Sequence, residues 1–418
     1  MQKLVVLFVT ATLFAYAPPS LADEWRGDHD NLGRKHGVWQ LYADDGELVL
    51  ESLEYRHDVQ NGLAMYYYAS GNLSGETDYV NGVRQGNNTT YFDDAETRKS
   101  DEGQFKNNLK TGEWQSWHSN GQLQSTTSFF NGHEDGLRII YFASGQEEKG
   151  PVSEEANYKR GVLDGEYISY YDSADHNIKA IGEHKNNLRS GFWVEYFATG
   201  EQKSMIEYVA GAMHGDVLLG HNSEQLAVET TYSNNQLHGE YTAYFDNRAH
   251  TKQFQGAHKN GKRDGKWTEW YANGNMASET RYILGRLNGP ASYYQEYDGS
   301  LKFITEYQDD AHHGAYITYH FPKPLQPATS DDQTPQLDDT NYRLEFGRHE
   351  LGRRVGEWFW LHGNGETMTQ GSYFEGQQFG TWRFFTENGA LSRVLEFSDG
   401  QLVSEKNDCH LATVNCED

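Results

Sequence analysis

The chain has almost no cysteine, little proline and few methionines: two, eight and six among 418 residues. Both cysteines, Cys409 and Cys416, lie in the last ten residues, so a small fold stapled throughout by disulfides is excluded. Hydrophobic residues make up only 36% of the chain while aromatics reach 14%, which leaves too little aliphatic volume for a thick globular core. Positive charge is scarce as well. Thirty-five Lys and Arg face 61 Asp and Glu, a net charge of −26. That excess repels phosphate and argues against nucleic acid and anionic membranes as partners.

Long apolar runs are missing after the N-terminus. The first 22 residues read as a secretory signal peptide: Lys3, an apolar stretch from Leu4 to Ala17, and Ser20-Leu21-Ala22 before Asp23. The apolar stretch is too short for a spanning helix. The expectation is an exported protein, periplasmic or extracellular, in which Cys409 and Cys416 pair to fasten a tail over residues 404–418. Metal binding through Cys409, His410 and Cys416 is the sharper alternative, but no fourth ligand is evident.

What the chain has in abundance is glycine at a fixed interval. Gly37, Gly62, Gly86, Gly112, Gly136, Gly165, Gly191, Gly215, Gly239, Gly265, Gly289, Gly314, Gly356 and Gly380 mostly stand 24 to 26 residues apart. The position five residues after each is Tyr, Trp or Phe in all but two cases, Gly220 and Leu361. A period of this size marks a repeat array, which binds along a surface rather than at one pocket.

One unit shows the local logic. Gly265-Lys-Trp-Thr-Glu-Trp-Tyr-Ala-Asn-Gly274 is rich in strand formers and ends in a turn dipeptide. Met276, Ser278, Thr280 and Tyr282 then alternate with Ala277, Glu279 and Arg281, the period of a strand with two unlike faces. Each repeat is one hairpin, with Asn273-Gly274 expected to take positive φ at both residues. Tryptophan recurs at the third position, as Trp39, Trp114, Trp193, Trp267, Trp358 and Trp382. A longer period overlies this one. The Trp-bearing starts Gly37, Gly112, Gly191 and Gly265 follow one another about every three hairpins, each after a related lead-in such as Gly103-Gln-Phe-Lys-Asn-Asn or Gly256-Ala-His-Lys-Asn-Gly.

The fold class expected is therefore all-β: an elongated array of about fourteen antiparallel hairpins in a single twisted sheet over residues 23–403. It is interrupted by a Pro-, Asp- and Gln-rich insertion at 322–341 that reads as disordered. Units such as Gly112-Glu-Trp-Gln-Ser-Trp-His-Ser-Asn-Gly121 and Gly191-Phe-Trp-Val-Glu-Tyr-Phe-Ala-Thr-Gly200 resemble the bacterial variant of the MORN repeat (membrane occupation and recognition nexus). The resemblance implies a hairpin sheet with no cofactor and no common catalytic motif. Bacterial members are often labelled antitoxin components.

Catalytic and metal motifs are not assembled in the sequence. Gly256-Ala-His-Lys-Asn-Gly261-Lys262 has Arg263 where a phosphate loop needs Ser or Thr. His349-Glu350 lacks the second zinc-binding histidine, and His312-His313 has no third ligand in sequence. The expectation is a protein without catalytic, cofactor-binding or metal-binding residues, whose six third-position tryptophans either pack or bind. Its partner would be a protein with a basic or extended surface. A glycan stacked on the aromatic rows and an envelope-acting toxin neutralised by this chain are the competing readings.

Overall fold

In a computed structural model, described over residues 24–44, 46–145, 147–320 and 343–407, the chain forms 31 strands. Among the described residues there is no helix, and every strand pairing is antiparallel. The signal peptide, the insertion at 322–341 and the Cys409–Cys416 pair lie outside the described residues. Two compact units are present, Met1–Leu188 and Arg189–Asp418. In each, strands follow one another as an open meander, neighbour against neighbour.

All fourteen expected hairpins are found. Three further strands complete the total: Glu24–His29 before the first repeat, Gln401–Asn407 after the last, and one repeat strand split into Arg286–Leu287 and Gly289–Tyr294. The split falls beside Pro290, which has no N–H to give to a ladder.

The turns differ from expectation in a systematic way. At Asn273-Gly274 only the glycine has positive φ, at 92°. The same holds at Asn120-Gly121, where Gly121 N–H donates to the His118 carbonyl at 2.8 Å and His118 N–H to the Gln122 carbonyl at 2.8 Å. These are three-residue loops, a type I turn closed by a left-handed glycine. Asparagine serves there through its side chain: Asn273 Oδ1 accepts from Asn275 N–H at 3.0 Å, and its Nδ2 donates to the Glu296 carbonyl at 2.6 Å.

The two-residue turns with positive φ at both positions stand at the other end of each strand. Asn107-Asn108 (51° and 64°) and Asn131-Gly132 (51° and 82°) are examples. They join each repeat to the next, and they are stitched to one another. Asn108 N–H donates to the Arg84 carbonyl at 3.0 Å, and Arg84 N–H returns to Asn108 Oδ1 at 2.8 Å. The Asn-Asn of the lead-in is thus a turn.

Just inside these turns the register slips, for instance between Glu102 and Gln104 against Thr111–Gln115. Gly112, at φ 69°, takes up this bulge, which explains why the first position of the repeat is glycine. Alternation then puts the third position of every repeat on one face, where it forms a buried row with its cross-strand partners. Trp39 pairs with Leu53, Leu53 with Ala64, and Ala64 with Thr77; Trp358 and Trp382 continue the pattern in the second unit. A single layer of sheet so builds its core within one face.

Candidate functional site

The six third-position tryptophans are all buried, at 0–7% exposure. Their burial has three parts, repeated along the chain. The first is a seat. Trp114 lies over Gly103, Trp39 over Gly27, Trp267 over Gly256, Trp358 over Gly347 and Trp382 over Gly371, and a Cβ on any of these glycines would come under 3.0 Å from the indole. The second is an edge contact from the residue two places after the seat. His29, Phe105, His258, His349 and Tyr373 meet their tryptophans edge-on with ring centroids 4.9–5.2 Å apart. Between them, the backbone carbonyl accepts the indole N–H at four of these tryptophans, as Gln104 does from Trp114 at 3.2 Å and Ala257 from Trp267 at 3.1 Å, whereas the buried Trp358 Nε1 makes no such bond.

The third part is a cation. Lys35, Lys110, Arg189, Arg263 and Arg354 each stand four residues before a tryptophan and place their charge 3.8–4.3 Å from its ring centroid. An attraction of this kind is worth about 0.5–2 kcal/mol depending on desolvation. Burial lowers the pKa of Lys110, with Asp101 and Glu134 working against that shift. Arg263 and Arg354 are also held by Glu269 at 3.1 Å and Glu345 at 2.5 Å. The motif Lys/Arg-x-Gly-x-Trp is visible in the sequence, but only the strand geometry shows that its cation covers the indole. The glycine of the lead-in is likewise visible in the sequence, and the structure shows it to be the seat of the indole.

At Trp39, Trp114, Trp267 and Trp358 both ring faces and an edge are occupied, and all six tryptophans are buried, which leaves no surface on which a sugar or peptide could stack. The accessible chemistry is on the opposite face. There the sixth-position aromatics run beside carboxylates: Tyr91 OH donates to Glu76 at 3.1 Å, and Tyr170 OH to Glu155 at 2.9 Å. Burial first, and the adjacent carboxylate second, push both phenols up to about 12. Lys99 bonds Glu102 at 2.8 Å and lies 5.6 Å from the Trp117 ring.

A shallow polar recess opens on this face around Gly103, lined by Asn87, Glu102, Gln104, Thr111, Glu113 and Gln115. Gln104 donates to Asn87 at 3.2 Å and Gln115 to Glu113 at 3.0 Å, which leaves carboxylate oxygens facing solvent. Val38, Leu63, Leu137 and Phe192, at the second position of their repeats, are exposed.

Among the described residues no group of three or more His, Cys, Asp or Glu could hold a metal ion. His312 instead packs beside His349, with ring centroids 5.4 Å apart. Burial, then His312 and Arg354, lower the pKa of His349 to about 4.

Three stretches of these units are similar to a known repeat. Residues 60–81, 110–131 and 263–283 match the MORN repeat variant. Two of the matched MORN stretches begin at the cation that covers a tryptophan, Lys110 and Arg263, and all three end in or beside a two-residue turn. No curated protein matches the chain. Among solved structures, a TcdB2–TccC3–Cdc42 complex aligns over 86% of this chain at 10% identity with a TM-score of 0.17. The Photorhabdus luminescens Tc holotoxin pore aligns over 88% at 10% identity with a TM-score of 0.10. This chain spans 22% and 27% of the length of those two chains, and overlays so poor carry no argument about function.

Proposed function

We propose that this chain is an exported, non-catalytic scaffold that binds a protein partner on the face opposite its tryptophans. One observation carries the reading: the repeated tryptophans are used up in packing, while the other face keeps solvent-facing carboxylates and exposed side chains such as Leu63 and Phe192. MORN repeats support it as repeat-based binding modules. Glu54, Asp78, Glu102 and Glu113 make that face suited to a basic, extended partner surface, and exposed charges of this kind are screened beyond about 8 Å at physiological salt.

The test is site-specific photocrosslinking in intact cells, with the reactive residue at Gln104 or Glu113 on this face and at Thr127 on the tryptophan face as a control. The expected result is a protein adduct from the first two positions that weakens as salt rises. Adducts equally strong from Thr127, or a polysaccharide adduct in place of a protein, would refute the assignment. Cell fractionation of the same strain tests the export.

A further inference from the structure

Besides those at the second position of the repeats, five exposed apolar side chains of the first unit share one kind of place. Val59, Val80, Leu109, Phe130 and Leu188 each stand directly beside a two-residue turn. Phe129 packs toward Trp114 with ring centroids 6.2 Å apart, so alternation turns Phe130 to the opposite face, and the same parity holds at each turn. Neighbouring turns shingle. Val59 Cγ1 lies 3.6 Å from where a Cβ of Gly82 would stand, and Leu109 Cδ2 lies 3.1 Å from that of Gly132.

The residue before the turn alternates in kind along this edge: Arg56, Val80, Lys106, Phe130, Lys159, followed by Lys185. Arg56, Lys106, Lys159, Arg160 and Lys185 are exposed, and among the described residues none of them has an ion-pair partner. Elsewhere in the same unit Arg34, Arg98, Lys99 and Arg138 are paired with acids, and Arg84, Lys149 and Lys179 lie over aromatic rings. In a chain of net charge −26, this edge gathers free cations in single file with apolar groups between them.

We propose that the turn edge of the first unit, from Arg56 to Lys185, is a docking strip for an extended protein segment that alternates acidic and apolar side chains. The spacing selects an extended ligand. Each hairpin advances two strands, roughly 10 Å, which an extended chain covers in about three residues. Acids about six residues apart therefore meet Arg56, Lys106 and Lys159, and apolar residues midway meet Val80 and Phe130. A bilayer would need apolar groups clustered for insertion, whereas here the free cations Arg56, Lys106 and Lys159 interrupt the edge between the apolar pairs Val59/Val80 and Leu109/Phe130. This strip is the turn edge of the face assigned above, and its partner has the opposite charge to the one proposed for the strand centres.

The experiment measures binding of a fluorescein-labelled synthetic peptide, four repeats of Glu-Ser-Ser-Leu-Ser-Ser, to the full chain. Saturable binding that weakens as salt rises is expected, with no binding of the version carrying Lys for Glu. Lys106→Glu combined with Lys159→Glu should weaken the peptide roughly tenfold or more, and Phe130→Ser several-fold, with the melting temperature unchanged. The proposal fails if the acidic peptide does not bind, if the Lys version binds equally, or if those variants bind like the parent. It also fails if the chain instead sediments with phosphatidylglycerol vesicles, or self-associates through Lys106, while ignoring the peptide. Loss of the adducts at Gln104 and Glu113 would leave this result untouched, so the two readings stand or fall separately.

Discussion

Gly103 lies beneath the indole of Trp114, so close that a Cβ on it would fall inside the ring's van der Waals envelope. The pair behaves as one unit: the seat is backbone in a paired strand and cannot retreat, so any side chain there must expel the tryptophan. Gly103→Ala is expected to destabilise the surrounding strands by about 3–5 kcal/mol, the loss typical of removing a buried Trp. Trp114→Ala should do the same. The double variant should lose much less than the sum, because Trp114→Ala removes the clash. Hydrogen exchange of the strands Lys99–Lys106 and Leu109–Trp117 reads all three; additive losses would refute the pairing.

Lys110 covers Trp114 at 3.8 Å, while Arg263 covers Trp267 at 4.1 Å in the equivalent place. The stack needs a cation on a long stem more than it needs one particular head group. Lys110→Arg should therefore change local stability by less than about 0.5 kcal/mol, and Lys110→Ala should lose about 1–2 kcal/mol. Equal losses from both substitutions, measured by urea unfolding, would assign the role to the ammonium itself.

Asn108 sits at φ 64° with its Oδ1 on Arg84 N–H, and Gly132 fills the same place one repeat on. Asn108→Gly keeps the left-handed backbone and loses only that side-chain bond, so it should cost about 0.5–1.5 kcal/mol. Asn108→Ala should cost about 1–2 kcal/mol through the left-handed backbone and more through the lost bond. The comparison of the two melting curves decides whether backbone conformation sets this position.

The hairpin period was legible because glycine bulges and aromatic strands repeat at fixed spacing. Less of the site could be read. Asn273-Gly274 looks like a two-residue turn, but its register, set by the strand pairing of Trp270 with Met276, makes a longer loop. Gly103 and Trp114 are far enough apart in sequence that only the register shows them in contact. The cation strip was hidden by averaging: a net charge of −26 says nothing of Arg56, Lys106 and Lys159 standing unpaired along one edge. A pattern confined to one edge appears once every repeat, and composition cannot resolve it.

His349 gives the array a pH dependence that can be isolated. Its ring meets Trp358 edge-on and faces His312, Tyr316 and Arg354. Burial first, then the charges of His312 and Arg354, lower its pKa to about 4 from the ordinary 6.5. Between those values the unfolded chain holds a proton that the folded one rejects, so stability falls as pH drops through that window and is fully present above about 6.5. Phe105 occupies the same place against Trp114, so His349→Phe should fold and keep the edge contact. We expect the strands Arg343–Glu350 and Arg353–Leu361 to lose exchange protection between pH 7 and 4.5 in the parent. In His349→Phe that loss should be smaller, with His312 and His258, both lowered by burial, supplying the remainder. An identical pH slope in the two proteins would show that His349 does not carry the effect.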